Sequence, residues 1–168
     1  MRPRPDLRGG STKLLVAADL ADFAAGWVAE RSRGRSPFRI ALTGGSTPKP
    51  VYERLSELDL DWHSWHVWWS DERLLPLDHP DSNERLGRDA LLSRVPIPDG
   101  QIHPLRSLDV QLPESFDLVL LGLGSDGHTA SLYPGRPELE ATDSVVYVPK
   151  PGWPPPHPRY TFTLPLLN

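Results

Sequence analysis

The apolar run Phe116–Leu121, closed at once by Gly122-Leu-Gly-Ser-Asp-Gly-His128, constrains the fold of this chain more than any other stretch. Six residues rich in aliphatic and β-branched side chains have the length of a strand buried on both faces, and strands of that kind belong to parallel sheets covered by helices. In such sheets ligands sit just past the carboxyl ends of the strands. Glycines at 122, 124 and 127 let the backbone take positive φ and come close to a ligand. Asp126 and His128 are therefore expected to be displayed at the strand end and not packed away.

The rest of the chain repeats this strand-then-loop pattern. Lys13–Val16 reads as a short strand, and Asp19 as the cap of a helix running through Ser32 with Leu20, Phe23, Ala24, Trp27 and Val28 as its buried stripe. Phe38–Leu42 reads as a strand running into Thr43-Gly-Gly-Ser-Thr-Pro48, followed by a helix over Pro50–Leu58 with Val51, Leu55 and Leu58 on one side. Trp65–Ser70 is a third strand, followed by a helix from Ser82 or Asn83 to Arg94. After Phe116–Leu121 come two more strands, Val145–Val148 and Tyr160–Leu164, separated by a proline-rich loop. The pattern predicts an α/β fold: three layers, Rossmann-like, with a largely parallel sheet and helices on both faces. With 168 residues and no internal repeat, one domain spanning 1–168 is expected, with residues 1–11 flexible.

Composition removes several function classes. A net charge of −4 argues against a nucleic-acid partner held by bulk electrostatics. Cysteine is absent, which excludes disulfides, thiol nucleophiles and cysteine-ligated metals. No run approaches the roughly 18 apolar residues of a membrane span, and the charged N-terminus lacks a secretory apolar segment, so a cytoplasmic protein is expected.

Three strand-to-loop junctions carry the unusual chemistry: Thr43–Thr47, Ser70–Arg73 and Gly122–His128. Parallel strands would turn all three toward one crevice. Gly44, Gly45, Ser46 and Thr47 offer backbone N–H groups, hydroxyls and a helix N-terminus to an anion, although the same residues also suit a tight turn with an N-cap. Arg73 beside Asp71 and Glu72 suits bidentate phosphate or carboxylate recognition, or simple pairing with its acidic neighbours. Asp81-Ser82-Asn83 reads as an N-cap cluster, with Asn83 also able to reach sugar hydroxyls. His128 is the general-base candidate because imidazole titrates near neutral pH, and Asp126 could orient it. His63, His66, His79, His103 and His157 show no metal-ligand spacing and read as surface or packing residues. Ser46 and Ser131 lie in no nucleophile elbow. The tryptophans at 62, 65, 68 and 69 mark a core strand.

Taken together, Leu42-Thr-Gly-Gly-Ser-Thr-Pro48, Trp69-Ser-Asp-Glu-Arg73, Asp81-Ser-Asn83 and Leu121-Gly-Leu-Gly-Ser-Asp-Gly-His-Thr-Ala-Ser-Leu-Tyr-Pro134 resemble the ordered motifs of the 6-phosphogluconolactonase family, in the superfamily that also holds glucosamine-6-phosphate deaminase and ribose-5-phosphate isomerase. His128 is followed by Thr-Ala-Ser-Leu-Tyr-Pro where the deaminases carry Ile-Ala-Phe-Asn-Glu-Pro, and Asp-Glu-Arg stands in place of Asp-Glu-Tyr; both favour the lactonase branch. The resemblance implies a sugar-phosphate isomerase/deaminase-like fold. It also implies hydrolysis of 6-phospho-D-glucono-1,5-lactone to 6-phosphogluconate in the oxidative pentose phosphate pathway, without metal or organic cofactor. In that assignment His128 activates water and Asp126 orients it. Gly44, Gly45, Ser46, Thr47, Asp71, Arg73, Asn83 and Gly124 surround the sugar phosphate.

The chain departs from the family pattern in two places. The connection between Asn83 and Phe116 is abbreviated, and the sequence stops at Leu164-Pro-Leu-Leu-Asn168 where family members continue through further elements bearing a Gly-x-x-Lys motif. A sheet incomplete at its C-terminal side, exposed apolar surface, and either a compensating homo-oligomer or a fragment of a longer protein are the expectations that follow. A non-catalytic sugar-phosphate-binding module is the second reading, and a deaminase or isomerase the third.

Overall fold

The computed structural model describes residues 13–151 and 156–168, so the expected flexible stretch 1–11 lies outside the described residues, as does part of the proline-rich loop. Helix α1 (Leu20–Ser32) begins where the sequence places it, with the Asp19 carboxylate accepting the Asp22 N–H at 3.0 Å. Strand β1 (Phe38–Leu42) leads through the glycine loop into α2 (Pro48–Leu55), which starts two residues earlier and ends three sooner than expected. A proline at the first helical position needs no N–H partner and arrives with helical φ, so Pro48 starts the helix. Strand β2 (Trp65–Trp69) passes through Ser70 into β3 (Asp71–Arg73).

Beyond β3, α3 (Asn83–Gly87) continues as a π-turn over Arg88–Leu92, a helix interrupted and shorter than the sequence suggests. Three strands follow: β4 (Leu118–Val119), β5 (Val145–Val148) and β6 (Arg159–Phe162), and the described chain closes with α4 (Leu164–Leu167).

Strands β2, β1 and β4 form a parallel sheet in that spatial order, with Ile40 opposite Val67 on one side and Leu118 on the other. β3, β6 and β5 form a second, antiparallel sheet, so parallel pairing holds for the first sheet alone. Ser70 joins the two sheets: its N–H donates to Leu42 O and its carbonyl accepts from Phe162 N, both at 2.8 Å. Phe38, Ile40, Leu42, Trp65, Val67 and Trp69 are wholly buried, so β1 and β2 are the doubly covered strands and the tryptophans are core, as expected.

Two expectations fail here, and a third holds only in part. Lys13–Val16 forms no strand, and Leu14 and Val16 stand exposed. The run Phe116–Leu121 pairs with β1 over only two residues, at the sheet edge, with Leu118 and Val119 half-buried and Leu121 exposed. An apolar hexamer reads alike whether one or both of its edges find a partner. In helix α1, Val28 is buried as expected and Ala24 and Trp27 pack half-buried against the core, but the other buried residues are Ala25, Ala29 and Ser32, and Leu20 and Phe23 are exposed. Small side chains permit close approach to α2, so the helix turns its small face inward. Its larger apolar face lines a cleft with Leu15, Val51, Leu120 and Leu121. Among the described residues, no helix is long and apolar enough to cross a membrane.

On the β2 side, His66 Nδ1 lies 3.2 Å from His103 Nε2, and the His103 ring stacks on Trp68 at 4.1 Å. Burial lowers both imidazole pKa values from the ordinary 6.5. The unfolded chain takes up protons that these folded rings resist, so stability is lost as pH falls through about 6.5. Urea midpoints measured from pH 8 to pH 5 should decline below that point, and His103→Phe should flatten the decline; an unchanged slope in the variant would contradict this origin.

Candidate functional site

The three junctions do converge. Thr43, Gly44, Gly45, Ser46, Thr47, Asp71, Arg73, Asn83, Gly124, His128, Ala130 and Arg159 line one open cleft of about 470 Å³ at the carboxyl end of β1. A larger cavity of about 600 Å³, bordered by Arg33, Asp59, Asp61 and Trp65, lies at the other ends of the strands and holds none of the motif residues. In parallel sheets it is the carboxyl ends that host ligands.

The glycine loop is fixed from behind. Tyr52, wholly buried on α2, donates its hydroxyl to Thr43 O at 2.8 Å and accepts the Thr43 N–H at 2.9 Å. The chain therefore leaves β1 with both polar groups of Thr43 satisfied, and Gly45 turns at φ +106°. Ser46 and Thr47 are exposed to the cleft, and Thr47 makes no side-chain cap to α2. Their hydroxyls are not consumed by the tight-turn role. A Cβ on Gly44 would collide with the Asn83 amide, so glycine is required for α3 to approach this loop.

The Asp-Glu-Arg junction is a buried network, not a solvated loop. Asp71 accepts from Asn83 Nδ2 at 3.1 Å and from Ser131 Oγ at 2.6 Å, and its carboxylate lies 3.7 Å from Arg159 Nη1. The second Asn83 amide bond goes to Asp71 O at 2.9 Å. Glu72, 2% exposed, accepts the backbone N–H groups of Arg73, Asn83 and Glu84 at 2.6, 2.8 and 2.5 Å, and the Ser82 hydroxyl at 3.2 Å. It thus caps the first turn of α3 from a neighbouring strand. Burial pushes the Glu72 carboxyl up, against those three N–H groups.

Arg73 and Arg159 occupy directly opposite positions of the β3–β6 pair. Like charges across a ladder repel. Burial first, then the Arg73 guanidinium, lowers the Arg159 pKa. Two guanidiniums held together at a cleft wall favour an anion that neutralises both, and their planar donor sets suit a phosphate. Arg159 was not among the sequence candidates: the strand expected over Tyr160–Leu164 begins one residue earlier, at Arg159, and ends at Phe162, so the sequence reading left this cation outside the sheet.

His128 and Asp126 form the third wall. Asp126 Oδ1 lies 2.5 Å from His128 Nδ1, and this bond is the main cause holding the Asp126 carboxyl below the usual carboxylate range. A carboxylate at that nitrogen favours Nδ1–H, and in the neutral ring this tautomer places the lone pair on Nε2. The ring stacks on Tyr133 at 4.7 Å. Gly124 and Gly127 make the turn: Gly124 N–H donates to His128 O at 2.8 Å, and Gly127 stands at φ +85°. Ala130, between this dyad and Ser131, takes φ +49°, a conformation rare outside glycine. Asp126 does not itself line the cleft; it reaches it only through its contact with His128.

The parallel sheet thus carries at its strand ends one cleft in which the glycine loop, two guanidiniums and the imidazole of an Asp–His dyad meet. This chain belongs to the family described as glucosamine-6-phosphate isomerases/6-phosphogluconolactonase, whose model matches residues 11–168. It is 44% identical over 162 residues to a 6-phosphogluconolactonase of Synechocystis sp., an alignment covering 84% of this chain and 65% of the relative. A 6-phosphogluconolactonase of Nostoc sp. is 42% identical over 159 residues, covering 82% and 64%. The chain therefore spans a little under two thirds of the length of these relatives. The crystal structure of 6-phosphogluconolactonase from Thermotoga maritima superposes with a TM-score of 0.77 at 33% identity, covering 88% of this chain and 75% of that one. The Trypanosoma brucei enzyme gives 0.70 at 29% identity, covering 87% and 74%.

Two predictions test this architecture. A Cβ at Gly124 would overlap the His128 ring and come within 2.7 Å of Asp126 Oδ1. Gly124→Ala should therefore abolish the downfield imidazole N–H resonance of the dyad in NMR spectra while changing the melting temperature little; a retained resonance would contradict the packing. Glu72→Ala orphans several buried donors and should cost about 3 kcal/mol in chemical denaturation, whereas a loss below about 1 kcal/mol would deny Glu72 its capping role.

Proposed function

We infer that the cleft binds a phosphorylated sugar lactone and hydrolyses its internal ester, converting 6-phospho-D-glucono-1,5-lactone to 6-phosphogluconate. The observation that carries this reading is the presence in one cleft of a guanidinium pair, Arg73 and Arg159, and a carboxylate-oriented imidazole. The names of the relatives support the same substrate.

In this reading Arg73 and Arg159 hold the 6-phosphate, with the Gly44–Thr47 backbone and the Ser46 and Thr47 hydroxyls completing its shell. His128 Nε2 takes a proton from a water as its oxygen attacks the lactone carbonyl, and Asp126 stabilises the imidazolium that forms. Collapse of the tetrahedral intermediate breaks the bond to the ring oxygen, which takes the proton back from His128. Nothing else need be supplied, because the carbonyl is already electrophilic and the leaving alcohol is tethered. Asn83, with its amide hydrogens given to Asp71, and Asp71 itself serve as positioning residues. Gly124 makes room for the dyad.

The decisive assay is lactone disappearance above its spontaneous hydrolysis. His128→Ala should lower the enzymatic rate by at least about 100-fold, the usual scale of a lost general base. Arg159→Ala should act chiefly through a raised KM. Binding of 6-phosphogluconate with no acceleration would identify a non-catalytic sugar-phosphate module, and ammonia release from glucosamine 6-phosphate would identify a deaminase. Self-association belongs to the same proposal: exposed Leu20 and Phe23 on α1 and Leu121 beyond β4 offer an apolar face that a second copy would cover. Sedimentation should show a dimer that Phe23→Glu disperses; a monomer at high concentration would contradict it.

A further inference from the structure

The geometry points to a second site, unrelated to lactone chemistry: His79, Asp81 and His157 form a three-donor clamp for a divalent transition-metal ion of the zinc class. His79 and Asp81 stand on the loop between β3 and α3, and His157 precedes β6 by two residues. One donor atom from each lies within 4.8 Å of the other two, and all three side chains are half-buried. Sequence spacing could not show this. His79 and Asp81 are two residues apart, but the third ligand comes 76 positions after Asp81 and arrives only because β6 pairs with β3.

The geometry is close to what the ion requires. Zinc takes imidazole nitrogen and carboxylate oxygen at about 2.0–2.2 Å in a tetrahedron, so its ligand atoms sit roughly 3.4 Å from one another. His157 Nε2 already stands 3.4 Å from Asp81 Oδ2. The His79 and His157 rings meet edge to face, with centroids 5.4 Å apart and planes at 73°. His79 Nδ1 accepts the Asp81 N–H at 3.1 Å, and an ion taken on that nitrogen replaces this bond. Two imidazoles and one carboxylate form a donor set that suits zinc, cobalt or nickel better than calcium or magnesium, which favour all-oxygen shells. Three protein ligands leave the fourth position open to water.

The clamp also has a mechanical consequence. The loop carrying His79 and Asp81 runs beside the residues leading into β6, with Leu74 N–H donating to Pro158 O at 2.8 Å. Arg73 Nη1 donates to Asp81 O at 2.6 Å. An ion bridging Asp81 and His157 therefore ties together the two segments that deliver Arg73 and Arg159 to the cleft.

The test is titration of the purified chain with Co²⁺, followed by its visible absorption, and with Zn²⁺, followed by calorimetry. Wild type should bind one ion at this site with a tetrahedral cobalt spectrum, and Zn²⁺ should raise the melting temperature. His79→Ala and His157→Ala should each weaken binding at least 30-fold and abolish the thermal shift, while His63→Ala, at an exposed histidine outside the cluster, should leave both intact. Circular dichroism establishes that each variant is folded. Absence of one-to-one binding in the wild type, or equal affinity in folded His79→Ala and His157→Ala, would overturn the assignment.

Discussion

Asp71 is the point on which the cleft depends. It is the first residue of β3, where the chain leaves the parallel sheet through Ser70, and its carboxylate meets groups from three other segments: Asn83 of α3, Ser131 beyond the His128 turn, and Arg159 of β6. A buried carboxylate must be compensated by donors, and each donor thereby acquires a fixed place. The glycine loop is drawn into the same assembly because Asn83 packs where a side chain on Gly44 would stand. Without this anion the four segments would have no common reference.

Charge explains the neighbourhood. Arg73 and Arg159 face each other across β3 and β6, a placement that repels in an empty ladder and becomes favourable when an anion lies between the guanidiniums. Asp71 offsets part of the repulsion from within, and Glu72 turns its own carboxylate away from the cleft to cap α3. The division of two adjacent acids into one that orients cleft residues and one that holds a helix follows from strand alternation, which sends neighbouring side chains to opposite faces.

Much of this was legible in the sequence because strand-end glycines, prolines and caps act locally. The Asp19 cap, the Gly44–Thr47 loop, and the Asp126–His128 turn depend on residues within a few positions of one another. What the sequence concealed depends on distant pairing. Arg159 and His157 become meaningful only once β6 lies antiparallel to β3, and nothing in Tyr160–Leu164 as a strand specifies its partner. The buried face of α1 was read correctly at Val28 but missed at Ala25 and Ala29, because hydrophobicity favours Leu20 and Phe23, whereas close helix contact favours small side chains. The edge position of β4 was hidden because an apolar run does not encode how many neighbours it has.

The most direct test of Asp71 as the organising anion is calorimetric titration of 6-phosphogluconate into wild type and the isosteric Asp71→Asn, with each protein shown to be folded. The account predicts measurable binding by wild type and a loss of at least tenfold in the variant, although Asp71 need not touch the phosphate. Undiminished affinity in a folded Asp71→Asn protein would contradict it.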